Sequence, residues 1–314
     1  MGQTQFWWRR IAPQSESWDH SDLIQGLAAL NPRVVVTGAS GWLGTVASDA
    51  LRTAGVTTQE YARRARGRFL ALDEIGAAPE GDGPLLLLHF AFLTQDKLAT
   101  LGHDEYVAAN AEITRRMLDW IEREKPDAIF VASSGAAARD KPIEQDPYGA
   151  MKRLDEAAFA QAAESIDARL RIARVYNVAG RHITTPELYA LGDLVGSTLR
   201  GEPLRIKAGG DVVRSYIAAD DLIAVVLADL LAPGRPQKLT FDTAGETVEI
   251  SELADAVRSA LGRDDLPIER NRDAEAPPSV YVGDGSTIAE LLELHGIRPT
   301  PLAEQIRQTA ESIQ

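Results

Sequence analysis

The chain has 314 residues, 45% hydrophobic and 25% charged, with a net charge of −13 and no cysteine. Such totals describe a folded chain long enough for one large α/β domain, or one such domain with a smaller partner. They exclude disulfides, thiolate metal ligands and a cysteine nucleophile, and they argue against a nucleic-acid surface, which needs a basic face.

Residues 1–30 precede the first strand and read as a helical extension, with Phe6-Trp7-Trp8-Arg9-Arg10 as part of an arm and a short helix over Asp22–Leu30. The N-terminus shows no signal-peptide pattern, so a cytoplasmic location is expected. Val34-Val35-Val36-Thr37 then reads as a strand running into Gly38, Gly41 and Gly44, spaced three apart. Val46, Ala47, Ala50, Leu51 and Ala54 recur on one helical face directly afterwards. Gly38 permits a sharp turn off the strand. Gly41 lets backbone approach a phosphate without a Cβ in the way, and Gly44 lets the helix pack closely on the sheet. The loop Gly38-Ala39-Ser40-Gly41-Trp42-Leu43-Gly44 therefore predicts a dinucleotide whose pyrophosphate meets the helix N-terminus.

Val56–Tyr61 reads as the second strand. An NAD site expects an acidic residue ~20 positions past the loop, for the ribose 2′-hydroxyl. Here Ala62 is followed by Arg63, Arg64 and Arg66. A guanidinium at that position grips a 2′-phosphate, so NADP(H) is favoured, while Glu60 keeps NAD(H) open. Arg68–Leu72 is a third strand followed by Asp73, and Leu85–Leu88 a fourth, entering His89-Phe90-Ala91. The apolar run Leu85–Leu93 is too short to span a bilayer, and the five histidines are scattered without ligand spacing, so neither a membrane span nor a metal site is expected. A helix over about Glu105–Arg123 carries Asn110 on its inner side, and the fifth strand, Ala128–Ala132, ends in Ser133-Ser134.

This alternation demands a doubly wound parallel sheet with helices on both faces, and ligands on such sheets gather at the strand C-terminal ends. The glycine loop, Arg63, Asp73, His89 and Ser134 all fall there. Next comes Asp146-Pro147-Tyr148-Gly149-Ala150-Met151-Lys152, which places Tyr148 and Lys152 one helical turn apart on one face. A nearby ammonium, together with the positive charge of an oxidised nicotinamide, would lower the phenol from its usual pKa of ~10, letting Tyr148 exchange a proton with a substrate hydroxyl or carbonyl. Ser134 can hold the same substrate oxygen.

At this point the chain resembles the extended short-chain dehydrogenase/reductase family, which contains sugar-nucleotide epimerases, dehydratases and ketoreductases. The matching pieces are Thr37–Gly44, His89-Phe90-Ala91, Asn110, Ser133-Ser134, Tyr148-x-x-x-Lys152, Arg174–Gly180 and Arg214–Asp221. The resemblance implies Ser134, Tyr148 and Lys152 as the catalytic set, and a cofactor held by the glycine loop, Asp73, His89, Phe90, Ala91 and Asn110. It further implies a nucleotide-sugar substrate touched by Asn177 and, at its diphosphate, by Arg214, for which a salt bridge to Asp220 or Asp221 is the alternative; His182, in the loop after Asn177, is a further substrate-contact candidate. Relatives pair through the helices that here carry Asn110 and Tyr148, so a homodimer using Met117, Leu118 and Phe159 is expected. Gly135-Ala136-Ala137-Ala138 after Ser134 departs from the acidic pair of the family's dehydratases, so dehydration is not expected.

The remainder reads as a smaller mixed α/β lobe. Its elements are a helix over Pro186–Arg200, strands Leu204–Lys207 and Val212–Ile217, and a helix starting from Ser251 as N-cap. A linker, Asp273–Pro278, and two final helices follow. The division expected is 31–178 with about 218–245 for the dinucleotide-binding domain, and 179–217 with 246–314 for the substrate lobe. The reaction expected is hydride transfer in an epimerase or ketoreductase, with Tyr148 as acid/base. The alternatives are a reductase of a non-nucleotide ketone or aldehyde, and a non-catalytic NADP(H)-binding sensor.

Overall fold

A computed structural model describes residues 21–273 and 275–313; the aromatic Phe6–Arg10 stretch lies outside them. In chain order the first half comprises α1 (Ser21–Leu30), β1 (Arg33–Thr37), α2 (Trp42–Thr53), β2 (Thr57–Ala62), β3 (Leu70–Ala71), β4 (Leu85–His89), α3 (Leu98–Leu101), α4 (His103–Glu124), β5 (Ala128–Ser134), α5 (Pro147–Ser165) and β6 (Arg169–Val175). The second half comprises β7 (Asn177–Ala179), α6 (Ala190–Arg200), β8 (Leu204–Ile206), β9 (Val212–Ala218), α7 (Ala219–Leu231), β10 (Lys238–Asp242), β11 (Glu246–Glu249), α8 (Ile250–Ala260), β12 (Ile268–Arg270), β13 (Ser279–Tyr281), α9 (Ser286–Leu294) and α10 (Leu302–Ile313).

The main sheet has seven strands in the order β10-β6-β5-β4-β1-β2-β3, and every pair is parallel. Its strands are apolar at consecutive positions because both faces are covered. Val34 and Val36 face α2, α7 and α9, whereas Val35, Leu87, Ile129 and Ile172 face α4 and α5. The order reverses between β1 and β4, and the crevice at such a switch point is where a dinucleotide is held in this topology.

A second core gathers Ala179, Leu191, Val195, Leu204, Tyr216, Leu253, Val257 and Ile306. Around it β11, β9, β13 and β7 form a small sheet, and β8 pairs with β12. The strands on either side of the Gly209-Gly210 turn thus belong to different sheets. Helix α9 packs against α7 and β10, on the main sheet, rather than in this second core. The α8 cap also differs from the Ser251 expectation. Glu249 is the N-cap residue, and it exchanges hydrogen bonds reciprocally with Glu252. The helix starts two residues earlier than expected: the Glu249 carboxylate accepts the Ser251 N–H at 2.7 Å, and the Ser251 hydroxyl accepts from Arg270 instead.

Candidate active site

The three loop glycines answer three different demands. Gly38 has φ +70°, and a Cβ there would lie 2.6 Å from both Ala91 N and the Phe90 carbonyl carbon. A Cβ on Gly44 would lie 2.2 Å from the Gly38 carbonyl oxygen, so α2 touches the loop backbone directly. Gly41 is different: its Cβ would meet only Gly38 O, at 3.3 Å, and the residue lines an open cleft. The cleft holds about 700 Å³ between the strand ends and the second lobe. Its floor is Gly38, Gly41, Trp42, Leu43 and Gly44, above the first turn of α2, whose leading N–H groups have no partner within the helix. Bare backbone, helix N-terminus and an open volume above Gly41 fit a dinucleotide pyrophosphate.

Ser134, Tyr148 and Lys152 line the same cleft. Asp146 caps α5 by accepting the Gly149 N–H at 2.9 Å, and Pro147 occupies the first helical turn, so Tyr148 is fixed at the strand-end edge. Ser134 ends β5; its Oγ accepts the Ala136 N–H at 3.2 Å and lies 3.3 Å from the Tyr281 hydroxyl. Ser133 turns away and donates to Glu156, which is paired with Arg174 at 2.7 Å. Lys152 is buried, donates to the Ala132 carbonyl at 2.7 Å and stands 3.7 Å over the Phe92 ring, whose edge also meets Tyr148.

Of the two charges expected to lower the Tyr148 phenol, the Lys152 ammonium does not do so by itself. Burial pushes the phenol up to about 12, with the Ser134 hydroxyl pulling the other way. The Lys152 ammonium is spent on a carbonyl and a ring, and burial lowers it to about 8 despite Asp155 and Glu156. Burial alone thus favours the protonated phenol, and the positive charge that an oxidised nicotinamide would bring favours its giving up that proton.

The other residues anticipated from sequence divide. Phe90 and Asn177 line the cleft, Asn177 donating to the Ser215 carbonyl at 3.1 Å. Ala91 packs behind Gly38, and Ser40 is exposed beside the loop. The buried His89 ring instead shares a 2.7 Å hydrogen bond with Thr37 Oγ1 and stacks on Phe159; burial, then the Lys152 charge, lowers it to about 3. Asn110 accepts the Leu93 N–H at 2.8 Å and donates to the Tyr106 carbonyl at 3.2 Å, so it fixes the segment after β4 from inside. Arg63, Arg64 and Asp73 are exposed at the β2–β3 edge, away from the cleft lining. His182 is turned to Asp49 of α2 at 2.9 Å instead of into the cleft. Arg214 donates to the Ser279 carbonyl and hydroxyl at 2.8 and 3.0 Å, fastening β13 to β9.

Met117 and Phe159, offered above as contacts for a second subunit, are wholly buried against the sheet, because they lie on the inner faces of α4 and α5. The outer face of α4 carries Glu112, Arg115 and Asp119 in ion pairs.

Sequence reasoning missed Tyr281, Phe92 and Tyr189 in the cleft wall. Tyr281 arrives on a three-residue strand beyond the expected linker and stacks against Tyr176 at 4.6 Å. Aromatic residues at strand ends, in Phe90–Phe92 and Ser279–Tyr281, were the available signal.

A family model, the NAD dependent epimerase/dehydratase family, matches residues 34–240. The chain belongs to this family. Over 295 residues it is 26% identical to a UDP-glucose 4-epimerase of Azospirillum brasilense, covering 81% of this chain and 85% of that protein. Among solved structures it is similar to a UDP-N-acetylglucosamine 4-epimerase of Methanobrevibacter ruminantium in complex with UDP-N-acetylmuramic acid (TM-score 0.71, 17% identity, 89% of this chain and 97% of that one). A Thermus thermophilus UDP-glucose 4-epimerase complexed with NAD gives a TM-score of 0.67 at 18% identity, over 90% and 98% of the two chains. A Bacillus cereus UDP-glucuronic acid 4-epimerase, in complex with UDP-glucuronic acid and NAD, gives 0.66 at 18% identity, over 89% and 98%. Among the described residues no helix is long and apolar enough to cross a membrane, and no group of His, Asp or Glu could hold a metal ion.

Proposed function

We propose that this chain is a nicotinamide-dependent epimerase acting on a nucleotide-activated sugar. The observation that carries the reading is the meeting of Ser134 and Tyr148 on one wall of the cleft whose floor is the bare glycine loop. Gly38–Gly44 would hold the pyrophosphate of the dinucleotide, which when bound would supply the hydride acceptor and donor for inversion at a sugar carbon through a transient ketone. The protein's share is proton control and placement. Tyr148 removes the hydroxyl proton as the ketone forms and returns it as the inverted alcohol forms. Ser134 holds the reacting oxygen. The Lys152 ammonium, confined beside Phe92, adds positive charge near that oxygen when the site is filled. Dehydration finds no support, because Gly135–Ala138 offers no side-chain acid or base beside Ser134.

NAD is the cofactor named for the Thermus and Bacillus neighbours, and a hydride that is returned consumes no reductant, so NAD is the working choice. One observation favours NADP(H). The tip of β2 carries Ala62, then the exposed Arg63 and Arg64, and the carboxylate of Glu60 is already held by Arg52 and Arg68 at 3.1 and 2.6 Å. Denaturing the purified protein and identifying the released dinucleotide decides between the two. Incubation with UDP-glucose and assay for UDP-galactose tests the activity. A panel of UDP-sugars left unchanged would remove the epimerase reading.

A further inference from the structure

The segment from Gly180 to Tyr189 roofs the cleft and is held on two sides. On the lobe side, the Gly180 N–H donates to Thr309 Oγ1 at 2.9 Å and the His182 N–H to Ser312 Oγ at 2.8 Å, both on α10. On the other side it is tied to the cofactor loop and its helix. The indole Nε1 of Trp42 donates to the Arg181 carbonyl at 2.6 Å, and the same ring meets Tyr189 edge-on at 5.4 Å. His182 Nε2 lies 2.9 Å from Asp49 of α2, and the Arg181 guanidinium pairs with Asp220 of α7 at 2.7 Å. His182 adopts φ +67°, which a non-glycine residue rarely takes, and its N–H and its ring are both engaged there.

Trp42 stands directly after Gly41, so one residue is both floor of the cleft and anchor of its roof. Its ring packs into the main core, while its N–H finds its partner across the cleft in the lobe. A dinucleotide lying on Gly38–Gly44 would sit beneath Thr184, Thr185 and Tyr189, the segment that this contact holds down.

We infer that Trp42 is a positioning residue that clasps the 181–189 segment onto the glycine loop and thereby retains the dinucleotide from one turnover to the next. The inference rests on reading the cleft as a dinucleotide site, and it suits an enzyme that returns its hydride and has no need to exchange cofactor. Opening the clasp breaks the indole–carbonyl hydrogen bond, the His182–Asp49 pair and the Trp42–Tyr189 ring contact together.

The test is the rate of NADH release, followed by stopped-flow fluorescence during displacement with excess NAD, in the wild-type protein and two variants. Trp42→Phe keeps a ring and loses the N–H; Asp49→Ala removes the His182 contact, together with an exposed pair to Arg52, without touching the glycine loop. The loss of one hydrogen bond of about 1–1.5 kcal/mol predicts release about tenfold faster in Trp42→Phe. Asp49→Ala is expected to release severalfold faster with an unchanged melting temperature, a result that a merely structural role would not give. Release at the wild-type rate in both variants would overturn the clasp. Because release needs no sugar substrate, a protein that binds NADH but turns over no nucleotide sugar leaves this result standing and removes only the epimerase reading. A protein that binds no NADH removes both.

Discussion

The two walls of the cleft are built in opposite ways. The strand-end wall is made of neighbours in sequence: Gly38, Gly41 and Gly44 lie in one loop, and Tyr148 and Lys152 on one helical turn. The lobe wall is assembled from β7, β9 and β13, three strands that meet only after the chain has folded. The first wall is over-determined, because backbone touches backbone and buried charges are paired around it. The second is tied by side-chain hydrogen bonds and a helix cap, as at Asn177, Arg214 and Glu249. In the function proposed above, the chemistry would stand on the locally built wall and substrate contacts would fall to the wall assembled from remote sequence.

Substitutions can break or sharpen that contrast. The largest effect is expected beneath the rigid wall, where the carboxylate of Asp229 on α7 is buried against Arg171, Arg235 and His295, the last at 3.0 Å. Asp229→Ala leaves buried cations without an anion and is expected to cost about 3–5 kcal/mol in urea unfolding.

Next come the glycines. Gly44→Ala drives a Cβ into the Gly38 carbonyl, 2.2 Å away, and is expected to cost roughly 3 kcal/mol. Gly41→Ala meets nothing closer than 3.3 Å, so stability should change by no more than about 0.5 kcal/mol while dinucleotide affinity falls about tenfold. Equal stability losses at the two positions would erase the distinction drawn between them.

The smallest effect is expected in the lobe. Burial pushes the Glu249 carboxyl up, but the Ser251 N–H, Arg270 and the Val212 N–H outweigh it and hold it at about 2. A carboxylate depressed on folding stabilises above its ordinary range, so this contribution is complete above about pH 4.5 and is lost as pH falls toward about 2. Glu249→Gln should remove that part of the acid dependence, at a cost near ~1 kcal/mol at neutral pH. An unchanged acid-unfolding curve would show that the cap contributes nothing.

What was legible in the sequence follows the same division. The parallel sheet, its glycine loop and the Ser134 and Tyr148–Lys152 placements could be read because each rests on a local rule: glycine where a Cβ cannot fit, or a helical repeat. Tyr281 was not legible. A three-residue strand carries no periodicity, and its pairing with β9 is fixed by Arg214 reaching Ser279 across the lobe. His182 was read as facing the substrate because it follows Asn177, but its left-handed backbone turns the ring to Asp49. Asn110 was read as a polar group on an inner helix face and His89 as part of a turn along the cofactor; both hold backbone and hydroxyl partners behind the cleft, which local pattern does not distinguish from facing into it.

The central claim is that the Tyr148 phenol moves the substrate proton above a dinucleotide resting on the glycine loop. Comparing wild-type and Tyr148→Phe proteins for NADH binding and for conversion of UDP-sugars tests it most directly. NADH affinity should be unchanged in the variant and turnover reduced about 10²–10⁴-fold. A phenylalanine variant that turns over within tenfold of the wild-type rate would contradict it.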